Sequence, residues 1–435
     1  MKRAKEFVSQ ASKNPMLRGS AILWVGMMAA NVSNYVFHLL MGRFLGPVNY
    51  GALAAIVSLM YYLSVPTTTI VTTVVKYTAE FEAEGSREKI NGLFRRLSKV
   101  LMIVSGILFL LMLALSPVIS EFLKMESVWP LFILSTMLLC TYVLPINRGI
   151  LQGLQWFGSL SVNLVLETVL KLAIGISLVL LGYSVSGAVV GIVSALFIAY
   201  AFSFLPLKKV IVGIPAPRIA IKEMAKYSIP VFIALLCLNN YYSIDVILVK
   251  HFLSPVDAGH YSGLSILGKI VVFASLAIVA VMFPMVAGRH KANQKHGKIL
   301  FMTMGLITAV SGSIVIVYAI APRTIIGLLF GAKYLPVAPY LAVFGIAMLL
   351  LALSTAMANY YLAINSTKCV SILVIAALAQ AAALWFYHGS LTQIVTVMVV
   401  SMGALFAALA VYYLIFVRNI TGPEPEEPIT SSVAV

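Results

Sequence analysis

Apolar residues run along this chain in windows of about 20, each long enough to cross a ~30 Å hydrocarbon core as a helix. The windows fall at about 19–42, 52–77, 98–118, 129–149, 158–181, 184–206, 227–250, 258–286, 299–320, 336–363, 367–388 and 392–417, twelve in all. Their edges are least distinct around 145–158 and at Gly182, where one long hairpin would read much the same. In lipid a helix satisfies its own backbone groups, so the pattern predicts an all-α, polytopic membrane protein with about twelve transmembrane helices.

One stretch occurs twice. Phe44-Leu45-Gly46-Pro47-Val48-Asn49-Tyr50-Gly51 lies over Phe252-Leu253-Ser254-Pro255-Val256-Asp257-Ala258-Gly259 at a shift of 208, with five of eight positions identical. The same shift puts Asn31 on Asn239, and Asn147–Leu151 finds a weaker echo at Asn359–Ala363, shifted by 212. Pro/Gly turns also recur for turn-chemistry reasons alone. A duplicated six-span unit accounts for all the echoes together, and it predicts two pseudo-symmetric six-helix lobes around a central cavity.

Composition agrees. Residues are 61% hydrophobic and 10% charged, with mean hydropathy +1.01. Soluble domains carry about 25% charged residues, so there is too little polar surface here for a water-facing body. Cys140, Cys237 and Cys369 lie in apolar runs without CxxC spacing and read as packing residues, with neither a disulfide framework nor a metal site. The expected organisation is a basic N-terminal segment over 1–16 and a first lobe over 17–206. A linker over 207–226, a second lobe over 227–418 and a Pro/Glu-rich disordered tail over 419–435 follow. No removable signal peptide is apparent.

The formal charge of +16 is mostly a topology signal. With a cytoplasmic N-terminus, 23 of the 30 Lys and Arg residues fall on the inner side and 5 on the outer side. Lys171 and Lys269 stay within spans. The positive-inside rule therefore puts both termini in the cytoplasm of a plasma (inner) membrane protein. Anionic lipid headgroups are natural partners for that surface, and no segment is long or polar enough to bind nucleic acid.

Polarity within the spans is the remaining signal, because buried charge is costly and commonly faces an interior path. Ser20, Trp24, Met27, Asn31, Asn34 and His38 fall within a narrow arc of the first span, ending near Arg43. Asn163, Glu167 and Lys171 share a face of the fifth span, as do Ser262, Ser265 and Lys269 of the eighth. The seventh carries Asn239, Asn240, Tyr241, Tyr242 and Asp245 before Lys250. Structural readings compete at each place. Glu167 and Lys171 have the spacing of an intrahelical ion pair, and Asn31 and Asn34 suit interhelical hydrogen bonds. His38 and Arg43 could snorkel, and Asp245 could form a half-buried pair instead of an ion site. Beside Pro66, the run Thr67, Thr68, Thr69, Thr72 and Thr73 offers hydroxyls to carbonyls that the proline frees.

The pattern N-x-x-N-Y-x-x-H-x-x-x-G-R-F-L-G-P-x-x-Y-G over 31–51 resembles the opening of Wzx-type oligosaccharide flippases. These form the polysaccharide transporter family of the multidrug/oligosaccharidyl-lipid/polysaccharide exporter (MOP) superfamily. Arg148-Gly149-Ile150-Leu151-Gln152-Gly153, Asp257-Ala258-Gly259-His260-Tyr261 and Leu328-Leu329-Phe330-Gly331-Ala332-Lys333-Tyr334 fit as well.

The resemblance implies alternating access by a monomer that moves a polyprenyl-diphosphate-linked oligosaccharide between leaflets for cell-surface glycan assembly. A pyrophosphate needs cations in a wet cavity. The candidates are Arg43 and Arg148 at their motifs, then Lys269, Lys171 and Lys250. Asn31, Asn34, His38, Asn239 and Tyr242 would meet the sugar. Asp245 and Glu167 remain candidates for coupling to H+ or Na+, or for a salt bridge, and no cofactor is expected. The alternative within the superfamily is a cation-coupled multidrug antiporter, which would want an acidic cavity. A glycan polymerase or ligase would want a large external loop with reactive residues; none is present, and no catalytic residues are expected.

Overall fold

The computed structural model describes residues 15–217, 232–233, 235–292, 294–364, 366 and 368–417. Most of the basic N-terminal segment, linker residues 218–226, the start of the seventh span and the tail over 419–435 lie outside the described residues.

Among the described residues, nine helical stretches are long and apolar enough to cross a membrane, and there are no strands. The first, helix α1, runs Pro15–Ala83 over 69 residues. At 1.5 Å per residue that is ~100 Å, more than three hydrocarbon thicknesses, so it cannot be one span. It breaks at Gly46, with φ 70° and ψ 175°. A residue before proline is pushed out of the helical region, and the positive φ here requires glycine, so Gly46-Pro47 sets the kink. Helices α2 (Arg87–Phe122), α3 (Trp129–Thr141), α4 (Leu144–Gly153) and α5 (Phe157–Leu178) follow. A π-helical turn, Val179–Tyr183, then bends the chain at Gly182 (φ 94°) into α6 (Ser184–Ile211).

The second copy of the repeat breaks in the same register. Helix α7 (Ile244–Phe252) ends as Leu253 turns extended, and α8 (Pro255–Lys291) opens on proline at its first position, where the missing N–H costs nothing. Then come α9 (Gly297–Ile320), α10 (Pro322–Leu329), a 3-10 stretch (Ala332–Tyr340), α11 (Leu341–Ala363), α12 (Cys369–Phe386) and α13 (Leu391–Tyr412). With each arm of the two broken stretches taken separately, the apolar segments match the first six and last five expected spans. The seventh is described only in part.

Two compact units result. The first takes residues up to Gly263 with Ile326–Val337, and the second takes Leu264–Ile325 and residues from Ala338 on. In the first, Val74, Ile90, Leu93, Ile146, Ile150 and Leu207 build a buried cluster joining α1, α2, α4 and α6. In the second, Ser311 donates to the Val271 carbonyl and Tyr318 to that of Leu267, both at 2.8 Å, tying α9 to α8.

Around Pro66 the hydroxyls are arranged differently from expectation. Ser64 donates to the Tyr61 carbonyl (3.0 Å) and Tyr142, at the end of α3, to that of Leu63 (2.7 Å). Thr67, Thr72 and Thr73 serve the carbonyls of Ser64, Thr68 and Thr69. A tyrosine from outside the helix thus shares the turn before Pro66 with Ser64 and Thr67, while Thr72 and Thr73 serve carbonyls beyond it.

Candidate functional site

In the first unit, a cavity of about 250 Å³ is lined by Met27, Ala30, Asn31 and Asn34 of α1, Arg148 of α4, and Leu164, Glu167, Thr168 and Lys171 of α5. Three helices thus bring together five of the twelve residues singled out from the sequence: Asn31, Asn34, Arg148, Glu167 and Lys171.

Small residues bring those helices close. A Cβ on Gly26 would lie 2.6 Å from the Ser161 hydroxyl, and Ser161 donates to the Ile22 carbonyl at 3.0 Å, fixing α1 against α5. Gly149 and Gly153 form a GxxxG pair on α4. A Cβ on either would meet Val74 or Thr78 of α1's second arm at 2.7 and 2.6 Å. Those glycines face α1, so Arg148, one position and about 100° earlier, turns toward the cavity.

The charges are held across helices. The Arg148 guanidinium donates Nε–H to Asn163 Oδ1 at 2.8 Å and pairs with Glu167, both side chains being largely buried. Asn163 in turn donates to the Ala199 carbonyl at 2.7 Å. Lys171 donates to Asn34 Oδ1 and sits 4.6 Å above the Phe37 ring. Glu167 therefore pairs with Arg148 and not with Lys171 on its own helix. The asparagine at 34 bridges helices and also lines the cavity. Asn163 is absent from the residues singled out as a site, although its spacing four positions before Glu167 placed it on that face.

Arg43 goes elsewhere. It is exposed and donates to the carbonyls of Leu328 and Leu329 (3.1 Å for the latter), capping the C-terminus of α10. A Cβ on Gly42 would lie 2.5 Å from Phe330, Tyr334 donates to the Gly42 carbonyl (3.1 Å), and His260 bonds the Lys333 carbonyl (2.8 Å). His38 is buried in this knot, edge-on to Phe37 and Tyr50, and Tyr50 packs on Phe330 and Tyr334. Three of the stretches that carry the resemblance thus converge on one packing knot at the kink.

The remaining candidates are spread out. Lys269 is buried on α8 and Lys250 lines a second cavity. Asn239 is buried, and Tyr242 meets Tyr61 edge-on with ring centroids 6.4 Å apart. Asp245 is fully buried and accepts from the Tyr261 hydroxyl at 2.7 Å, while its Oδ1 finds no partner among the described residues.

A family model for polysaccharide biosynthesis proteins matches residues 16–290, well over half the chain. The chain belongs to that family. It is a multi-pass membrane protein with the fold of the MOP-superfamily transporters. An inward-facing multidrug resistance MATE family transporter of that superfamily superposes at TM-score 0.73 and 12% identity, over 91% of this chain and 96% of its own. The lipid II flippase MurJ, in an inward closed conformation, gives TM-score 0.69 at 12% identity over 91% and 87%. A MOP transporter from Pyrococcus furiosus, described by the reverse polarity of its binding pocket, gives 0.67 at 12% over 94% and 97%. At such identities the likeness carries the fold alone. No curated protein matches the chain.

Proposed function

We propose that this family member flips a lipid-diphosphate-linked oligosaccharide from the inner to the outer leaflet of the plasma membrane by alternating access, as a monomer with both termini inside. The observation that carries the reading is the convergence of Arg148 and Lys171, with Asn31 and Asn34, on one cavity. A guanidinium grips two phosphate oxygens in a fixed fork and an ammonium adds a point charge, while the two amides offer donors to sugar hydroxyls. Glu167 occupies the Arg148 fork. An arriving diphosphate competes for that fork and displaces the carboxylate, which then takes up a proton or a cation. Asp245, with one oxygen unpartnered, is the second acid suited to coupling to H+ or Na+.

The test is leaflet-resolved transport of a fluorescent lipid-diphosphate sugar in proteoliposomes. Arg148→Ala and Lys171→Ala are expected to lose transport at least tenfold, whereas equal flipping by wild type and both variants overturns the reading. The same superfamily fold also serves multidrug transporters. Drug efflux without lipid movement would assign the chain to that activity, although a cavity with two cations and one carboxylate suits a cationic drug poorly.

A further inference from the structure

The first unit holds a second polar cavity, of about 180 Å³, built from the kink of α1, the turn between α2 and α3, the turn into α6 and the end of α7. Asn49 of this cavity lies 15 residues beyond Asn34 on α1. The two cavities share no lining residue, so they are separate places.

Lys250 is the unusual member. It is only 4% exposed and lines this cavity, yet among the described residues it forms no hydrogen bond and no ion pair. Its charged neighbours are Glu126, which attracts it, and Lys124, which repels it, and both line the same cavity. An ammonium buried without a hydrogen-bonding partner is expensive, and a bound oxyanion removes that cost. Asn49, Ser184 and Ser186 also line the cavity, and none of the three uses its side-chain donors on another described residue. Two lysines against one glutamate leave a single net positive charge. At about 180 Å³ this is the smaller of the two cavities, with room for a headgroup-sized fragment.

We infer that this cavity is a second anion site, in which Lys250 and Lys124 hold a phosphate group carrying one net negative charge, with Asn49, Ser184 and Ser186 donating to its oxygens. The group belongs either to a phospholipid headgroup or to free phosphate. The site stands independently of the Arg148 cavity and of whatever that cavity transports.

Thermal unfolding of the full chain in phosphatidylcholine nanodiscs tests it, with inorganic phosphate titrated against sodium chloride at matched ionic strength. In a second arm, phosphatidylglycerol replaces part of the phosphatidylcholine. Ligand that binds only the folded protein raises the unfolding temperature saturably. Expected is saturable stabilisation by at least one of the two, with affinity at least tenfold weaker in Lys250→Gln and unchanged in Lys208→Gln, an exposed lysine that lines neither cavity. Phosphate acting alone identifies the free ion as ligand, and phosphatidylglycerol acting alone identifies the lipid. Lys124 is exposed, so Lys124→Glu tests the site without disturbing the core, and reversal of that charge is expected to abolish the effect even if Lys250→Gln fails to fold. Absence of stabilisation in both arms, or a wild-type response in Lys124→Glu, overturns the inference.

Discussion

Gly51 and Gly259 pack backbone against backbone. A Cβ on Gly51 would lie 2.9 Å from the Gly259 nitrogen, and one on Gly259 would fall 1.9 Å from the Pro47 carbonyl oxygen. The two glycines close the two copies of the repeated stretch, so equivalent points of the duplication meet where α1's second arm crosses α8. No side chain fits there. Gly259→Ala is expected to lower stability by ~1–3 kcal/mol through overpacking, more than Gly51→Ala, whose added methyl meets atoms 1 Å further off. Denaturation of both variants in detergent checks the order, and equal stability of Gly259→Ala and wild type would show that the crossing is not held this tightly.

Arg148 and Glu167 form a single unit. Removing the arginine alone leaves a carboxylate largely buried without its cation, and removing both leaves neither charge exposed to that penalty. Arg148→Ala is therefore expected to cost ~1–3 kcal/mol of stability, most of it recovered in Arg148→Ala/Glu167→Ala. Transport should stay lost in both. Stability that returns together with transport would mean that Arg148 only neutralises Glu167 and never meets the substrate.

Much of this was legible in the chain because the relevant information is local. Twenty-residue apolar windows specify spans, Gly46-Pro47 specifies a kink, and the spacing of Asn163, Glu167 and Lys171 specifies a face. The placement of partners is not local. Arg43 caps a helix 285 residues away, which no periodicity encodes, and the stretch it belongs to reads equally well as a binding motif. Lys250 and Arg148 were both candidate phosphate cations, yet they line different cavities, one at the end of α7 and the other on α4. Glu167 had a lysine at ideal spacing on its own helix and pairs instead with an arginine whose fork offers two hydrogen bonds.

The second unit should be sensitive to acid. His296, in the turn between α8 and α9, is buried, bonds Tyr360 Oη at 2.8 Å through Nδ1, and meets His290 Nδ1 at 3.3 Å through Nε2. Burial, and then the neighbouring His290, hold its pKa below the ordinary 6.5. The unfolded chain therefore binds the proton more readily than the folded one. The stabilisation is complete above pH of about 6.5 and is lost as pH falls toward the folded value. Once His296 is protonated, its Nε2 can no longer accept across the 3.3 Å contact with His290. The unfolding temperature is expected to drop through this range in wild type and to drop less in His290→Gln, which removes the neighbouring imidazole that lowers the His296 pKa. Parallel profiles for the two would sink the assignment.

Asp245 offers the sharpest separation of coupling from substrate binding. It is fully buried, one oxygen accepts from Tyr261, and the other has no partner among the described residues. A buried polar atom without a partner is costly, and a bound cation would supply one. Asp245→Asn keeps an acceptor for Tyr261 and removes the charge, so the fold should survive. Transport driven by an imposed proton or sodium gradient is expected to fall at least tenfold, while the affinity for a lipid-diphosphate sugar at the Arg148 cavity stays within about twofold, since a loss in one step without the other marks a different site. Gradient-driven uptake and equilibrium binding measured on the same preparation decide it. Loss of binding along with transport would instead place Asp245 among the residues that shape the substrate cavity.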